Sequence, residues 1–149
     1  MFLNTSYEII VNGLEAAFLA QLLKFIGHFI KTRKVDFQVL ATTGGMPSSH
    51  TAGVISLSTT VGFICGFDSI EFAIALGYSL VVMYDAAGLR RSTGRIAACL
   101  NKIRDDFYNN GQMQSDRLKE LLGHTPFEVF VGALLGITLA FINHYYLFQ

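Results

Sequence analysis

The stretch Phe127–Phe148, FEVFVGALLGITLAFINHYYLF, decides how the rest of the chain is read. Its 22 residues carry one formal charge, Glu128, near the start. About 20 apolar residues wound as an α-helix cross the hydrocarbon core of a bilayer, so this stretch reads as a transmembrane span. The composition agrees. The 149 residues are 52% hydrophobic and 15% charged, with mean hydropathy +0.44, whereas soluble domains carry about 25% charge. The length fits a single domain, residues 1–149. Trp is absent, so only Tyr and Phe can furnish an interfacial aromatic belt.

Three more apolar runs precede this span. Ile9–Ile30 is long enough to cross, but Asn12, Glu15, Gln21, Lys24 and His28 forbid it to face lipid on all sides. Thr51–Phe67 is short for a span, and a tight connection, Asp68–Glu71, leads to a third run, Phe72–Tyr84. From Ala86 the pattern turns amphipathic, and Ile96, Leu100, Ile103 and Phe107 recur on one helical face. Ser115–Leu122 can form a short polar helix. The expected architecture is an all-α membrane bundle of about four spans with an amphipathic cytoplasmic helix. No cleavable signal peptide is expected, because a basic N-terminal region is lacking and Glu8 interrupts the first run. Cys65 and Cys99 form no metal or redox motif.

Charge orients the bundle. With the first run crossing, the second and third forming a hairpin and the last crossing again, all 11 Lys and Arg fall on or near one side. The other side keeps Glu8, Asp68 and Glu71. The positive-inside rule puts the basic side in the cytoplasm and both termini outside, as in a multi-pass protein of the inner, cytoplasmic membrane.

Two polar motifs lie on that basic side. Thr43–Ala52, TGGMPSSHTA, reads as a Gly-Pro turn followed by a serine helix cap. A single cap does not require two serines and a histidine, and free N–H groups at a helix start suit a phosphate. Both readings stay open at this point. The second motif is Gly123–Glu128, GHTPFE. Thr125, Pro126 and Glu128 make a capping box, yet His124 and Glu128 also stand four residues apart. On one face, the carboxylate would hold one imidazole nitrogen and free the other for attack. Two histidines beside a phosphate cradle supply a nucleophile and a general acid, and nearby cations can neutralise the phosphoryl oxygens.

MPSSHTAGV followed by GHTPFEVFVGALLG resembles the type 2 phosphatidic acid phosphatase and vanadium haloperoxidase superfamily. The resemblance is closer to its small divergent bacterial branch of integral membrane proteins, which also carries a YDAAGLRR-type stretch (Tyr84–Arg91), and runs from about Gln21 to Gly136. It implies that Ser48 and Ser49 bind phosphate, that His50 protonates the leaving oxygen, and that His124 is a nucleophile oriented by Glu128. Glu128 replaces the family's Asp and is one methylene longer. Lys24 best matches the first-motif lysine, with Arg33 or Lys34 as stand-ins for its arginine. Arg117 stands one residue too far from His124 for the third motif, so the missing cations fall to Arg90 and Arg91, with Asp85 positioning them or Lys24. His28 and His144 read as structural.

The implied activity is hydrolysis of a lipid phosphate monoester, such as phosphatidylglycerophosphate or an isoprenoid phosphate, without metal or other cofactor. The partners implied are that lipid and the membrane, not nucleic acid. A lipid pyrophosphate substrate, or a non-catalytic lipid-phosphate binder or transporter subunit, is the alternative.

Overall fold

The computed structural model describes residues 6–37, 39, 45–108 and 123–147, apart from the side chains of residues 89–91, 106–108 and 147. The architecture is all-helical: α1 (Ser6–Thr32), α2 (Ser49–Cys65), α3 (Ile70–Tyr84), α4 (Arg90–Tyr108) and α5 (Pro126–Ile142). A π-helical turn, Asp85–Leu89, joins α3 to α4, and a second, Asn143–Leu147, extends α5. The expected Ser115–Leu122 helix lies outside the described residues, as do Arg117 and the start of the first polar motif.

Among the described residues, three helical stretches are long and apolar enough to cross a membrane: Ser6–Thr32, Ile70–Asp105 and Pro126–Tyr146. The third apolar run and the amphipathic segment are thus one helical path, interrupted only by the π turn. The second run, α2, has 17 residues and spans about 25 Å. It lies at the centre, with α1, α3 and α5 each packed against it. α2 ends where Gly66 takes a φ of 99°, and Ser69 caps α3 by accepting from the Phe72 N–H.

Lipid tails are as apolar as leucine, so helices in a bilayer associate through close packing and polar contacts rather than hydrophobic burial. The interior is accordingly small and the periphery large. Ala16, Ala20 and Ala52 are fully buried with Leu135 and Leu139 against them, while Leu14, Phe18, Ile74, Val81 and Phe130 face outward. Glycines set the spacing. A Cβ on Gly132 would lie 2.6 Å from the Ser48 carbonyl oxygen, and one on Gly136 only 2.5 Å from that of Ala52. Between α1 and α2, Gly13 and Gly53 each approach the other's carbonyl.

At the end of the bundle where α1 begins, polar side chains tie the helices together. Asn143 donates to Asn12 (2.8 Å) and Glu15 (2.7 Å), Asn12 donates to Thr60 (3.0 Å), and Ser56 donates to the Asn12 carbonyl (3.0 Å). Fully buried Glu8 meets His144 at 2.8 Å. His144 therefore has the structural place its position suggests, and its ring stacks on Phe63.

Gly136→Ala is expected to destabilise the bundle by about 1–3 kcal/mol, because the new methyl meets backbone that cannot swing aside. Gly77→Ala, where nothing lies within 4 Å of a new Cβ, should be neutral or gain up to about 1 kcal/mol of helix propensity. Thermal unfolding in detergent checks both.

Candidate active site

The N-terminus of α5 is built as a double-duty cap. Thr125 Oγ1 accepts the Glu128 N–H (3.3 Å), and Glu128 Oε2 accepts the Thr125 N–H (3.0 Å), completing the capping box with Pro126 in the first turn. The same Oε2 lies 3.2 Å from His124 Nδ1. The helix begins at Pro126, and His124 still reaches the carboxylate from just outside it. One carboxylate oxygen thus serves both the helix cap and the contact with the His124 ring.

Two backbone contacts fix this cap in space. The His124 N–H donates to the Ala86 carbonyl (2.9 Å), inside the π turn, and the Ser48 N–H donates to the Glu128 carbonyl (3.2 Å). π turns shift the helical hydrogen-bond register and recur at functional sites. Here the turn presents a carbonyl to the chain returning from α4. Ser48 in turn caps α2, its Oγ accepting from the Thr51 N–H (3.4 Å) and hydroxyl (3.0 Å).

Lys24 completes the cluster from α1. Its stem passes Gly45, whose backbone takes a φ of 81°, with a hypothetical Gly45 Cβ 3.7 Å from Lys24 Cδ. Lys24 is 6% exposed and His124 2%. Among the described residues neither Lys24 Nζ nor His124 Nε2 makes a hydrogen bond of ordinary geometry, although the Gly45 backbone acts on the imidazole from close by. Buried polar groups are nearly always paired, and an unmade bond costs about 1–3 kcal/mol. A buried ammonium beside a free imidazole nitrogen is an arrangement that an anion would satisfy.

Burial foremost, and the Lys24 charge after it, hold the His124 imidazole below its ordinary range, against the opposing pull of Glu128 and of the Gly45 backbone. The ring is therefore neutral at pH 7. With Nδ1 donating to the carboxylate, the lone pair sits on Nε2.

The sequence-derived candidates divide into groups. Lys24, His124 and Glu128 share one cluster, with Ser48 adjoining it; Ser48 is fully buried and its hydroxyl is engaged in the α2 cap. Ser49, buried, and His50, exposed, instead line a groove between α1, α2 and α3, together with Asp85. Arg33 is exposed just past the end of α1, at a φ of 56°, nine residues or about 13 Å along the axis from Lys24. The side chains of Arg90 and Arg91 lie outside the described residues. Sequence reasoning missed the Ala86 carbonyl, since no residue type marks a π turn. It also missed Gly45, although a glycine pair before Met-Pro is a fair signal of unusual backbone.

Residues 5–139 match the Divergent PAP2 family. The uncharacterized membrane protein YuiD of Bacillus subtilis (strain 168) is 40% identical, in an alignment covering 98% of this chain and 99% of that one. No solved structure matches the chain. The protein belongs to the Divergent PAP2 family of membrane proteins.

The His124 ring is expected to titrate below 6.5. Lys24→Met should move that titration up by removing a positive neighbour, and Glu128→Gln should move it down. NMR of the labelled imidazole in micelles reads all three.

Proposed function

We propose that this protein is a metal-independent phosphatase of a lipid phosphate monoester, acting at the cytoplasmic surface of the cell membrane. The observation that supports it most is a buried pair, Lys24 Nζ and His124 Nε2, with no hydrogen-bond partner among the described residues. In this reading Lys24 binds the phosphoryl oxygens, with Arg90 and Arg91 supplying further charge. Nε2 attacks phosphorus, forming an N–P bond as the P–O bond to the lipid breaks. His50 gives its proton to the departing oxygen. Water, deprotonated by His50, then attacks the phosphohistidine, releasing inorganic phosphate and restoring Nε2. Glu128 holds the tautomer and stabilises the imidazole charge that develops. Phosphatidylglycerophosphate and isoprenoid phosphates are suitable substrates for a shallow site at the membrane surface.

A second reading, lipid-phosphate binding without turnover, draws on two facts. The Ser48 hydroxyl is committed to capping, and His50 faces the groove rather than the buried cluster.

The purified protein is expected to release phosphate from a lipid phosphate in excess chelator, and vanadate should inhibit it. His124→Ala should abolish release, and His50→Asn should lower it about 10²–10⁴-fold. Because His124 acts neutral and burial holds its pKa below the ordinary histidine range, the acid-side loss of activity should fall at lower pH than for an ordinary imidazole. Tight binding of lipid phosphate with no release would favour the binder.

Orientation can be read from the native cysteines. Cys65 ends α2 on the side away from the site and Cys99 lies in α4 beyond the site, and both are exposed. In single-cysteine variants on intact cells, an impermeant maleimide should label Cys65 and spare Cys99. The reverse pattern would invert the topology.

A further inference from the structure

α1 and α3 both pack on α2 but hardly touch one another. The gap is a groove of about 540 Å³, within the usual size of a small-molecule site. Its floor is made by Gly13 and Gly53, where the absence of side chains lets the helices meet and leaves a trough above the contact. Its walls are aliphatic, and its rims, Leu14, Tyr78 and Val81, stand well exposed on the outer surface of the bundle. The groove therefore opens sideways, toward lipid.

Apart from the Tyr78 hydroxyl, the polar side chains that line it are gathered at one end. Ser49 and His50 lie in the first turn of α2 and Asp85 in the π turn, whereas Leu57 and Tyr78 mark the apolar end. His50 to Leu57 along α2, and Tyr78 to Asp85 along α3, each span about 10 Å. The first turn of α2 is thus a partition. Ser48 turns toward α5 and the His124–Lys24 cluster, while Ser49 and His50 turn toward the groove.

We propose that this groove seats the hydrocarbon chain of the lipid whose phosphate lies at Lys24 and His124, the chain entering laterally between α1 and α3. A trough whose polar groups, the Tyr78 hydroxyl apart, lie beside a phosphate site and whose remaining lining is apolar matches an amphiphile with one anionic end. Its lateral mouth admits a chain without lifting it out of the bilayer. His50 and Asp85 then lie at the junction of head group and chain, where the ester oxygen departs, and the groove selects for a chain-bearing over a water-soluble phosphate. The identity of the head group rests on the lipid-phosphate reading above, but occupancy of the groove by a chain can be tested without turnover.

The chain lacks Trp, so Tyr78→Trp installs a single fluorophore on the groove rim, and Ile137→Trp places one on the exposed face of α5. In micelles, phosphatidate with brominated chains should quench Tyr78→Trp at severalfold lower mole fraction than brominated phosphatidylcholine does. At Ile137→Trp the two should quench alike. Equal quenching by both lipids at Tyr78→Trp would overturn the proposal. So would protection from both, which would point to a helix of a second copy in the groove. In an active preparation, Val54→Phe, which adds bulk to the α2 wall of the groove, should reduce long-chain hydrolysis roughly tenfold or more and leave glycerol phosphate hydrolysis unchanged. Equal losses on both substrates would count against the groove alone, whereas a protein with no turnover but selective quenching would count against catalysis alone.

Discussion

Everything near the candidate site depends on how closely the backbone of α2 approaches that of α5. At Gly132 and Gly136 there is no room for even a methyl group between the helices. That approach brings the Ser48 N–H onto the Glu128 carbonyl and so registers two helix N-termini side by side. The positive ends of two helix dipoles then share one small region. In a bilayer such an approach is stabilised by dispersion and polar contacts, since apolar burial offers nothing that lipid does not. A single added methyl would separate the two caps.

The two ends of the bundle treat buried polarity in opposite ways. Where α1 begins, Asn12, Glu15, Thr60 and Asn143 form a connected hydrogen-bonded set, and Glu8 meets His144. Such contacts average about 0.6 kcal/mol each inside membranes, and their value is mutual satisfaction. At the other end Lys24 and His124 are also buried, but each keeps a polar atom without a partner among the described residues. Stability accounts for the first arrangement and not for the second, which is understandable if a ligand supplies the missing contacts.

Much of this was legible in the sequence. Apolar run lengths placed the helices to within a few residues, and capping chemistry placed the start of α5 at Pro126. The i, i+4 spacing foretold the His124–Glu128 contact, because both residues belong to one local segment whose geometry the helix start dictates. The resemblance gathers Ser48, Ser49 and His50 of TGGMPSSHTA around one phosphate, and there local reasoning runs out. Consecutive residues at a helix start point in different directions, so Ser48 and His50 face different neighbours. Which neighbours those are depends on where α1, α3 and α5 lie.

The sequence by itself determined the class of protein: a helical membrane bundle, basic on one side, with two capped helix starts carrying histidines on that side. Hydropathy, charge asymmetry and capping are properties of short segments, and short segments determine them. Only the tertiary structure decided that Lys24 sits beneath Gly45 beside His124, that a π turn offers Ala86 to the His124 backbone, and that His50 opens onto a groove. Those relations join residues tens of positions apart, and they follow from glycine-set helix spacing and from α1 and α3 failing to meet. No local pattern encodes a gap between two helices.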